Sequence, residues 1–333
     1  MPVTLDDVAA RAGVSRALVS LALRNSSRVA ARSRERVLAA AEELGYRPNL
    51  NARRLASAHS GTVGVLISDL HNPLFAEILD GLADGTEDRP EQLILASGFR
   101  DVTRERAAVE SFLAHRVDAV VLVGTQMPAP EIEKYGRVVP TVVIGRRIRG
   151  LDSVVIDDRL GARLVTEHLI SLGHQRIAHV DGGKGAGAAT RRRAYADTMR
   201  THGLEQHIQI CPGEYTEEAG RAGFEQLYGN HPRPTAIFAA NDLSALGVLS
   251  GARAVGVDVP SQLSVAGFDN TTVARSGFVS LTTVDYPRAQ AGEIASKLLQ
   301  ARLSDEDAKT QVITLTPTLV PRATTSAVRA SET

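Results

Sequence analysis

The sequence predicts an α/β body of two doubly wound parallel-sheet subdomains, preceded by a small all-α unit at the N-terminus. Three observations carry that expectation. From Thr62 onward, β-branched apolar runs recur with helical stretches between them, the pattern of parallel strands covered on both faces. The first sixty residues contain no such run, but they hold repeated helix start and stop signals. The charge also divides near residue 60. Over 333 residues, 38 basic and 38 acidic side chains cancel. Residues 1–60 nevertheless carry ten arginines against five acids, which leaves 28 basic and 33 acidic side chains for the remainder, so +5 is joined to −5. At about 150 residues per domain, the length predicts two domains and allows three.

Composition narrows the class. With 43% apolar and 23% charged residues the chain has the balance of a soluble globular protein. One cysteine, Cys211, excludes an internal disulfide and a cysteine-rich metal site, and it fits a reducing cytoplasm. No apolar run approaches the ~20 residues that cross a bilayer, and MPVTLDDVAA lacks the basic-then-apolar order of a secretory signal. The expected location is cytoplasmic, with no membrane partner. Zero net charge taken alone argues against a nucleic-acid partner. The basic N-terminal unit argues for one, because all ten of its cations are arginines, whose forked donors suit phosphates and guanine edges; a solvated helical surface is the alternative.

In the first unit, Thr4 caps a helix over Leu5 to about Ala12, with Asp7 completing a capping box. Leu5, Val8, Ala9 and Ala12 form its buried stripe. Gly13 turns the chain. Ser15 caps a second helix, stapled by Val14 and Val19, whose inward face is Leu18, Val19 and Ala22. Arg16, Ala17, Ser20 and Leu21 remain outside. A third helix, from about Ala31 to Leu44, is expected to bury Val37, Leu38, Ala41 and Leu44; Gly45 stops it and Pro48 prevents continuation. Two short helices joined by a glycine turn, the second opening on exposed polar residues, make a helix-turn-helix, although a purely structural helical hairpin has the same outline. Residues 49–57 (NLNARRLAS) are too few for a stable isolated helix. Asn49 can cap them, Arg53 and Arg54 can reach phosphates, and Leu55 lacks an obvious core. A flexible linker is the alternative.

TLDDVAARAGVSRALVSLAL…RERVLAAAEELGYRPNLNARRLAS resembles the headpiece and hinge of the lac repressor family of bacterial transcription factors, over residues 3–58 almost without gaps. By that resemblance Thr4, Ser15 and Ser20 contact phosphates, and Arg16 and Ala17 read bases in the major groove. The chain departs from the family at Leu21, where an arginine is usual and for which Arg24 can substitute. It departs again at Ala30, where a serine normally caps the third helix. The resemblance makes residues 49–60 a hinge helix that inserts paired leucines, here Leu55, into the minor groove. Such an apolar wedge costs a few kcal/mol of stacking and kinks the DNA. The segment would be coil when free and helix when bound.

The body's strand runs are VGVLI (63–67), LILAS (93–97), AVVLV (119–123), TVVIG (141–145) and VVI (154–156), then IAHV (177–180), AIFAA (236–240) and LSVAGF (263–268). Ligands of such sheets bind beyond the carboxyl ends of the strands, here in the cleft between subdomains. The family has a periplasmic-binding-protein-like body with three chain crossings, expected near residues 158, 285 and 318. The expected division is a headpiece (1–48), a hinge (49–60), one subdomain (61–157 with 286–317) and another (158–285 with 318–333). By matching position Phe75 is an apolar wall, Arg191 anchors ligand oxygens, Tyr215 stacks, and Asn241 and Asp269 hydrogen-bond hydroxyls or ring nitrogens. Asn241 and Asp269 can alternatively cap helices or turns. Arg146 takes a pocket position and Asp69 lies near the mouth, whereas helical geometry turns Arg192 and Arg193 away from Arg191. Two arginines in the pocket leave room for a phosphorylated or acidic ligand.

Catalytic motifs are missing. GGKGAG (182–187) has glycine after its lysine, so the phosphate-loop pattern fails, and the nine histidines form no ligand-spaced cluster. Asp157 and Asp158 look like a carboxylate pair, but adjacent side chains on a strand end point opposite ways, and Asp158 is expected to cap the following helix. No metal or cofactor is implied. The function expected is a ligand-responsive repressor that binds a pseudopalindromic double-stranded operator as a homodimer under control of a small sugar or polyol. A C-terminus without leucine heptads favours a dimer over a tetramer. The alternatives are a sugar-processing α/β enzyme and a solute-binding receptor with an accessory helical domain.

Overall fold

The computed structural model describes residues 3–23, 26, 28–46, 60–85, 92–305 and 307–328. The chain forms two compact units, 1–60 and 61–333.

The first unit is built from α1 (Leu5–Ala12), α2 (Arg16–Leu23) and α3 (Ala31–Glu43). Its small core consists of Val8, Ala9, Ala12, Val19, Ala22, Val29, Val37, Ala40 and Ala41. The capping box forms in both directions, with the Asp7 amide donating to Thr4 Oγ1 and the Thr4 amide donating to Asp7 Oδ2. Gly13 turns the chain at φ +62°, a left-handed conformation that favours glycine. On α3 the expected burial of Leu38 is corrected: it is 47% exposed. The stripe that faces the core is Val37, Ala40, Ala41 and Leu44 at i, i+3, i+4 and i+7, and Leu38 lies about 100° around the helix from Val37. Ala30 supplies no side-chain cap to this helix.

The second unit contains two parallel sheets. The six-stranded sheet has the order β11-β5-β4-β3-β1-β2, from β1 (Thr62–Ile67), β2 (Gln92–Ser97), β3 (Ala119–Val123), β4 (Thr141–Ile144), β5 (Asp152–Ile156) and β11 (Val312–Leu315). The four-stranded sheet has the order β7-β6-β8-β9, from β6 (Ile177–Val180), β7 (Gln209–Cys211), β8 (Ala236–Ala239) and β9 (Ser264–Ala266). A third pairing, antiparallel, joins β10 (Thr283–Asp285) to β12 (Thr318–Val320), and Thr282 bridges to Ala266 of β9. The chain therefore passes between the two halves three times: after β5, after β10 and after β11. Continuous apolar runs make the central strands. β1 and β3 are buried at every position, whereas the edge strand β2 is half exposed. The four strands not foreseen, β7, β10, β11 and β12, have three or four residues each and sit at sheet edges or in the connecting ribbon.

Helices cover both sheets. α4 (Leu74–Asp84), α5 (Val102–Ala114), α6 (Ala129–Gly136) and α12 (Arg288–Ser304) flank the larger one. α7 (Asp158–Ser171), α8 (Ala188–Thr201), α9 (Glu217–Gly229) and α10 (Asp242–Ala254) flank the smaller, and α11 (Thr272–Arg275) follows β9. Two helix pairs approach so closely that each uses reciprocal glycines. A Cβ on Gly81 would lie 1.9 Å from the Ala289 carbonyl oxygen, and one on Gly292 would lie 2.1 Å from that of Ile78. In the other pair, a Cβ on Gly220 would meet the Ser244 carbonyl oxygen at 1.9 Å, and one on Gly247 would meet that of Glu217 at 1.9 Å. Backbone cannot yield as a side chain can. Gly247→Ala and Gly292→Ala are each expected to lower folding stability by about 1–3 kcal/mol, the usual cost of overpacking, read as a lower midpoint in urea denaturation; an unchanged midpoint would show that these helices can separate freely.

Candidate functional site

The carboxyl ends of both sheets open onto one cleft. Its walls surround about 690 Å³ of space free of protein atoms, part of it open to solvent, a size suited to a small molecule. The six-stranded half contributes Ser68, Asp69 and Asn72 after β1, Phe75 and Ile78 from α4, Arg100 after β2, and Gly124 and Gln126 after β3. The other half contributes Asp158, Gly185, Ala186, Arg191, Tyr215 and Asp269, with Tyr286 from the connecting ribbon.

Arg191 is the centre of this arrangement. It lies on the first turn of α8, almost wholly buried. Its Nε donates to Asp158 Oδ1 at 2.7 Å, its Nη1 donates to the Ala240 carbonyl at 2.6 Å, and its Nη2 is 3.6 Å from Asp269 Oδ1. Its guanidinium stacks on Phe268, 3.6 Å from the ring centroid, with Tyr215 at 5.5 Å. The glycine-rich loop before α8 makes this possible. A Cβ on Gly187 would strike the Asp158 carboxylate, and one on Gly182 or Gly185 would strike the Tyr215 ring. GGKGAG therefore makes room for Asp158 and Tyr215. Tyr215 Oη donates to the Ala186 carbonyl at 2.7 Å, which fixes the ring against the loop.

The electrostatics follow from burial. Desolvation pushes the Asp269 carboxyl up to about 7 against the pull of Arg191, and it raises Asp158 as well although Arg191 is in contact. Burial also opposes the Arg191 charge, but Tyr215 and the two carboxylates outweigh it and hold the guanidinium charged. Beneath the site, burial lowers His179 to about 4; its Nδ1 is 2.9 Å from the Phe238 carbonyl, and its Nε2 has no hydrogen-bond partner among the described residues.

Of the residues expected here, Phe75, Arg191, Tyr215 and Asp269 line the cleft, as does Asp69 at its mouth. Arg146 does not. Its Nη1 reaches the Met127 carbonyl at 3.0 Å and lies beside the buried Glu105, which accepts the Gln126 and Met127 amides. It thus secures the β3–α6 loop from behind. Asn241 is not in the lining either: its Oδ1 caps α10, accepting the Ser244 amide at 2.9 Å, while its buried Nδ2 has no partner among the described residues. Asp158 does not cap α7 as expected. Asp157 Oδ1 caps α7 by accepting the Leu160 amide at 2.9 Å, and Asp158 turns inward to Arg191. Arg192 and Arg193 face elsewhere, Arg192 pairing with Asp181 at 2.6 Å. Arg100, Asn72, Gln126, Asp158 and Tyr286 line the cleft without having been foreseen. Arg100 and Gln126 lie just past strand ends, the one signal that could have marked them. Among the described residues no cluster of histidine, cysteine or carboxylates could hold a metal ion.

In the N-terminal unit, α2 opens on Arg16 and Ala17, both exposed, while Ser15 Oγ accepts the Leu18 amide at 3.3 Å. Arg16 is 67% exposed, and its ion pair to Asp6 is long at 3.5 Å. Other arginines of the unit hold it together: Arg11 pairs with Glu43 at 2.6 Å, Arg34 donates to the Ser26 carbonyl, and Arg36 donates to the carbonyls of Ala12 and Gly13. Ser20 is half-buried on the same helix. Arg24, Asn49, Arg53, Arg54 and Leu55 lie outside the described residues.

A capped helix-turn-helix and a two-sheet binding cleft on one chain match known proteins at both ends. Residues 4–49 match bacterial regulatory proteins of the lacI family, and residues 166–325 match the periplasmic binding protein-like domain. The regulator GalR of Escherichia coli strain K12 is 32% identical over 97% of this chain and 96% of its own length. The chain belongs to the lacI family. Catabolite control protein A of Priestia megaterium is also 32% identical, over 95% of this chain and 97% of its own. A lac repressor dimer solved with operator and the anti-inducer ONPF superposes with a TM-score of 0.86 at 29% identity, covering 98% of this chain and all of that one. The regulator CelR in complex with cellobiose gives 0.71 at 30% identity, covering 97% and 99%. As a lacI-family member the chain is a transcriptional regulator with a DNA-binding helix-turn-helix and a periplasmic-binding-protein-like domain, not an enzyme, and among the described residues no helix is long and apolar enough to cross a membrane.

The raised pKa of Asp269 has a consequence for stability. The folded chain holds that proton more tightly than the unfolded chain, where the group titrates near 3.9. The stabilisation it supplies is complete below about pH 4 and is lost as pH rises through about 7. Asp269→Asn, which keeps the neutral shape, is expected to gain roughly 1–4 kcal/mol on the native chain between pH 4 and 7 and to level off above. Urea denaturation of both proteins across that range checks it; a constant difference would mean that Asp269 is ionised throughout.

Proposed function

We propose that this regulator is a cytoplasmic repressor. As a homodimer it binds a pseudopalindromic operator, and a small neutral sugar or polyol in the cleft controls it. The observation that carries the effector reading is the buried Arg191–Asp158–Asp269 cluster on the floor of an apolar-walled cleft. The lining holds three carboxylates, Asp69, Asp158 and Asp269, against two guanidiniums, Arg100 and Arg191. Both arginines already face carboxylates, Arg191 as described and Arg100 with Asp69 at 3.4 Å. Such a surface repels phosphate and favours hydroxyls that donate to carboxylate oxygens, while Phe75, Ile78, Tyr215 and Tyr286 offer apolar surface to a ring. Arg146 is turned away, and Arg100, whose buried Nη1 has no hydrogen-bond partner among the described residues, stands between the carboxylates of Asp69 and Glu214. Asn241 stands behind this lining, with its buried Nδ2 unpartnered among the described residues.

The DNA reading rests on exposed Arg16 and Ala17 at the start of α2, with Thr4, Ser15 and Ser20 as phosphate contacts and Arg24, Asn49, Arg53, Arg54 and Leu55 extending the contact through the hinge. The cleft is formed by two subdomains, 61–157 with 286–317 and 158–285 with 318–333. A change in their angle moves the hinge starts near Ser60, and the effector shifts that equilibrium only by its unequal affinity for the two states.

Two experiments test these halves separately. Selection from a randomised duplex pool yields an operator. On it Arg16→Ala is expected to relax preference at one base pair per half-site, worth about 1–3 kcal/mol; uniform weakening over all sequences would make Arg16 a phosphate contact. A thermal-shift screen of neutral sugars and polyols is expected to give a ligand that alters operator binding. Asp269→Ala is expected to abolish that response and leave operator binding in place, and a surviving response would remove Asp269 from the site.

A further inference from the structure

Glu77 is on α4, whose first turn lines the cleft, and it belongs to the six-stranded half. Two arginines grip its carboxylate. Arg275 Nη2 donates to Oε1 at 2.6 Å, and Arg288 Nε donates to Oε2 at 2.8 Å. Arg275 ends α11, which follows β9 in the other half, so this pair spans the cleft. Arg288 is only 5% exposed and stands where the chain crosses from β10 to α12. Its Nη1 donates to Asp285 at 2.7 Å and to the Asp269 carbonyl, and Asp269 has φ +105° with Asn270 at +48°, a turn that non-glycine residues rarely adopt. One connected set of hydrogen bonds thus runs from the Asp269 backbone carbonyl, through Arg288 and Glu77, to a bond between the two halves. On the opposite lip, Arg100 of the six-stranded half and Glu214 of the other stand 3.6 Å apart with the polarity reversed.

We infer that Glu77 is a positioning residue that straps the two halves of the cleft at a fixed angle, through Arg275, and ties that angle to the backbone of Asp269 through Arg288. Arg288 remains with Glu77 when the halves rotate, because α12 packs on α4. Arg275 does not share that half, so its bond to Glu77 forms in one orientation and breaks in the other. The strap therefore favours one of two cleft angles without reference to any effector. Arg275 and Glu77 are partly solvated, so the bond is screened by salt and weights the two angles by roughly two- to fivefold.

The test reads the angle directly. Spin labels are placed on cysteines introduced at Val138 and Val255, which are 67% and 63% exposed and sit at the outer ends of the two halves. The buried Cys211 is changed to serine, and labelled full-length chain is diluted with unlabelled chain. The Val138–Val255 distance distribution is measured by electron–electron double resonance for the parent and for Glu77→Gln, Arg275→Lys, Arg275→Met and Arg275→Glu. Arg275→Lys is expected to keep the parent distribution. Glu77→Gln and Arg275→Met should raise a second population by roughly two- to fivefold, and Arg275→Glu, which sets two carboxylates face to face, should raise it most. High salt should bring the parent towards Arg275→Met. Superposable distributions across the series, or a lysine variant that behaves like the glutamate one, would overturn the strap.

Discussion

A guanidinium buried between two carboxylates organises this molecule's second unit. Taking charges out of water costs several kcal/mol for each ion, which is why burial raises both carboxyls, Asp269 to about 7, and mutual attraction offsets the cost only with good geometry. The fold supplies the geometry from four places: Asp158 at the start of α7, Arg191 on the first turn of α8, the Ala240 carbonyl at the end of β8, and Asp269 after β9. Each lies at the carboxyl end of a strand or the start of the helix that follows one, the region where a doubly wound sheet leaves polar groups unpaired. The surrounding sequence conforms to the cluster. Glycines at 182, 185 and 187 clear space for Tyr215 and Asp158, and Phe268 provides the flat face beneath the guanidinium. Hydrophobic residues of similar volume would stabilise the fold at least as well. The cluster is therefore better explained by what it presents to the cleft than by what it contributes to folding.

The N-terminal unit follows a different economy of charge. Its core is small and made largely of valine and alanine, so fixed helix ends and arginine bonds carry much of its definition. Arg11, Arg34 and Arg36 join helix to helix or helix to turn. Arg16 points into solvent, with a long pair to Asp6 among the described residues. An arginine excess thus contains two populations, and geometry separates them where a net charge of +5 cannot. Zero charge over the whole chain is less informative still, because it averages a cationic unit with an anionic body.

How much of this was legible in the sequence depends on whether the deciding contact is local. The capping box at Thr4 and Asp7, the turn at Gly13 and the eight strands read from apolar runs are set by neighbours within a few residues, and they stand where the residues indicate. The strands β7, β10, β11 and β12 lie at sheet edges or in the connecting ribbon and exist because a distant strand pairs with them. The cleft divides in the same way. Phe75, Arg191, Tyr215 and Asp269 follow strands and match a known family, and they line it. Arg146 fails the same rule because a buried carboxylate, Glu105, and two carbonyls hold it behind the β3–α6 loop. Asp157 and Asp158 illustrate the limit most clearly: either could cap α7, and only the position of Arg191, 33 residues later, decides which one turns inward.

Ion pairs of opposite polarity join the two halves at the lips of the cleft. Chain connections alone leave rotation between them free, since three crossings near one edge act as a hinge. The Glu77 lip places the negative charge on the six-stranded half, and the Arg100 lip places the positive charge there. Angular freedom is what a sensor of this architecture needs, because a ligand can act only on a coordinate along which two states lie close in energy. Exposed ion pairs, individually weak and reversible, suit that coordinate in a way that a fully packed apolar interface would not.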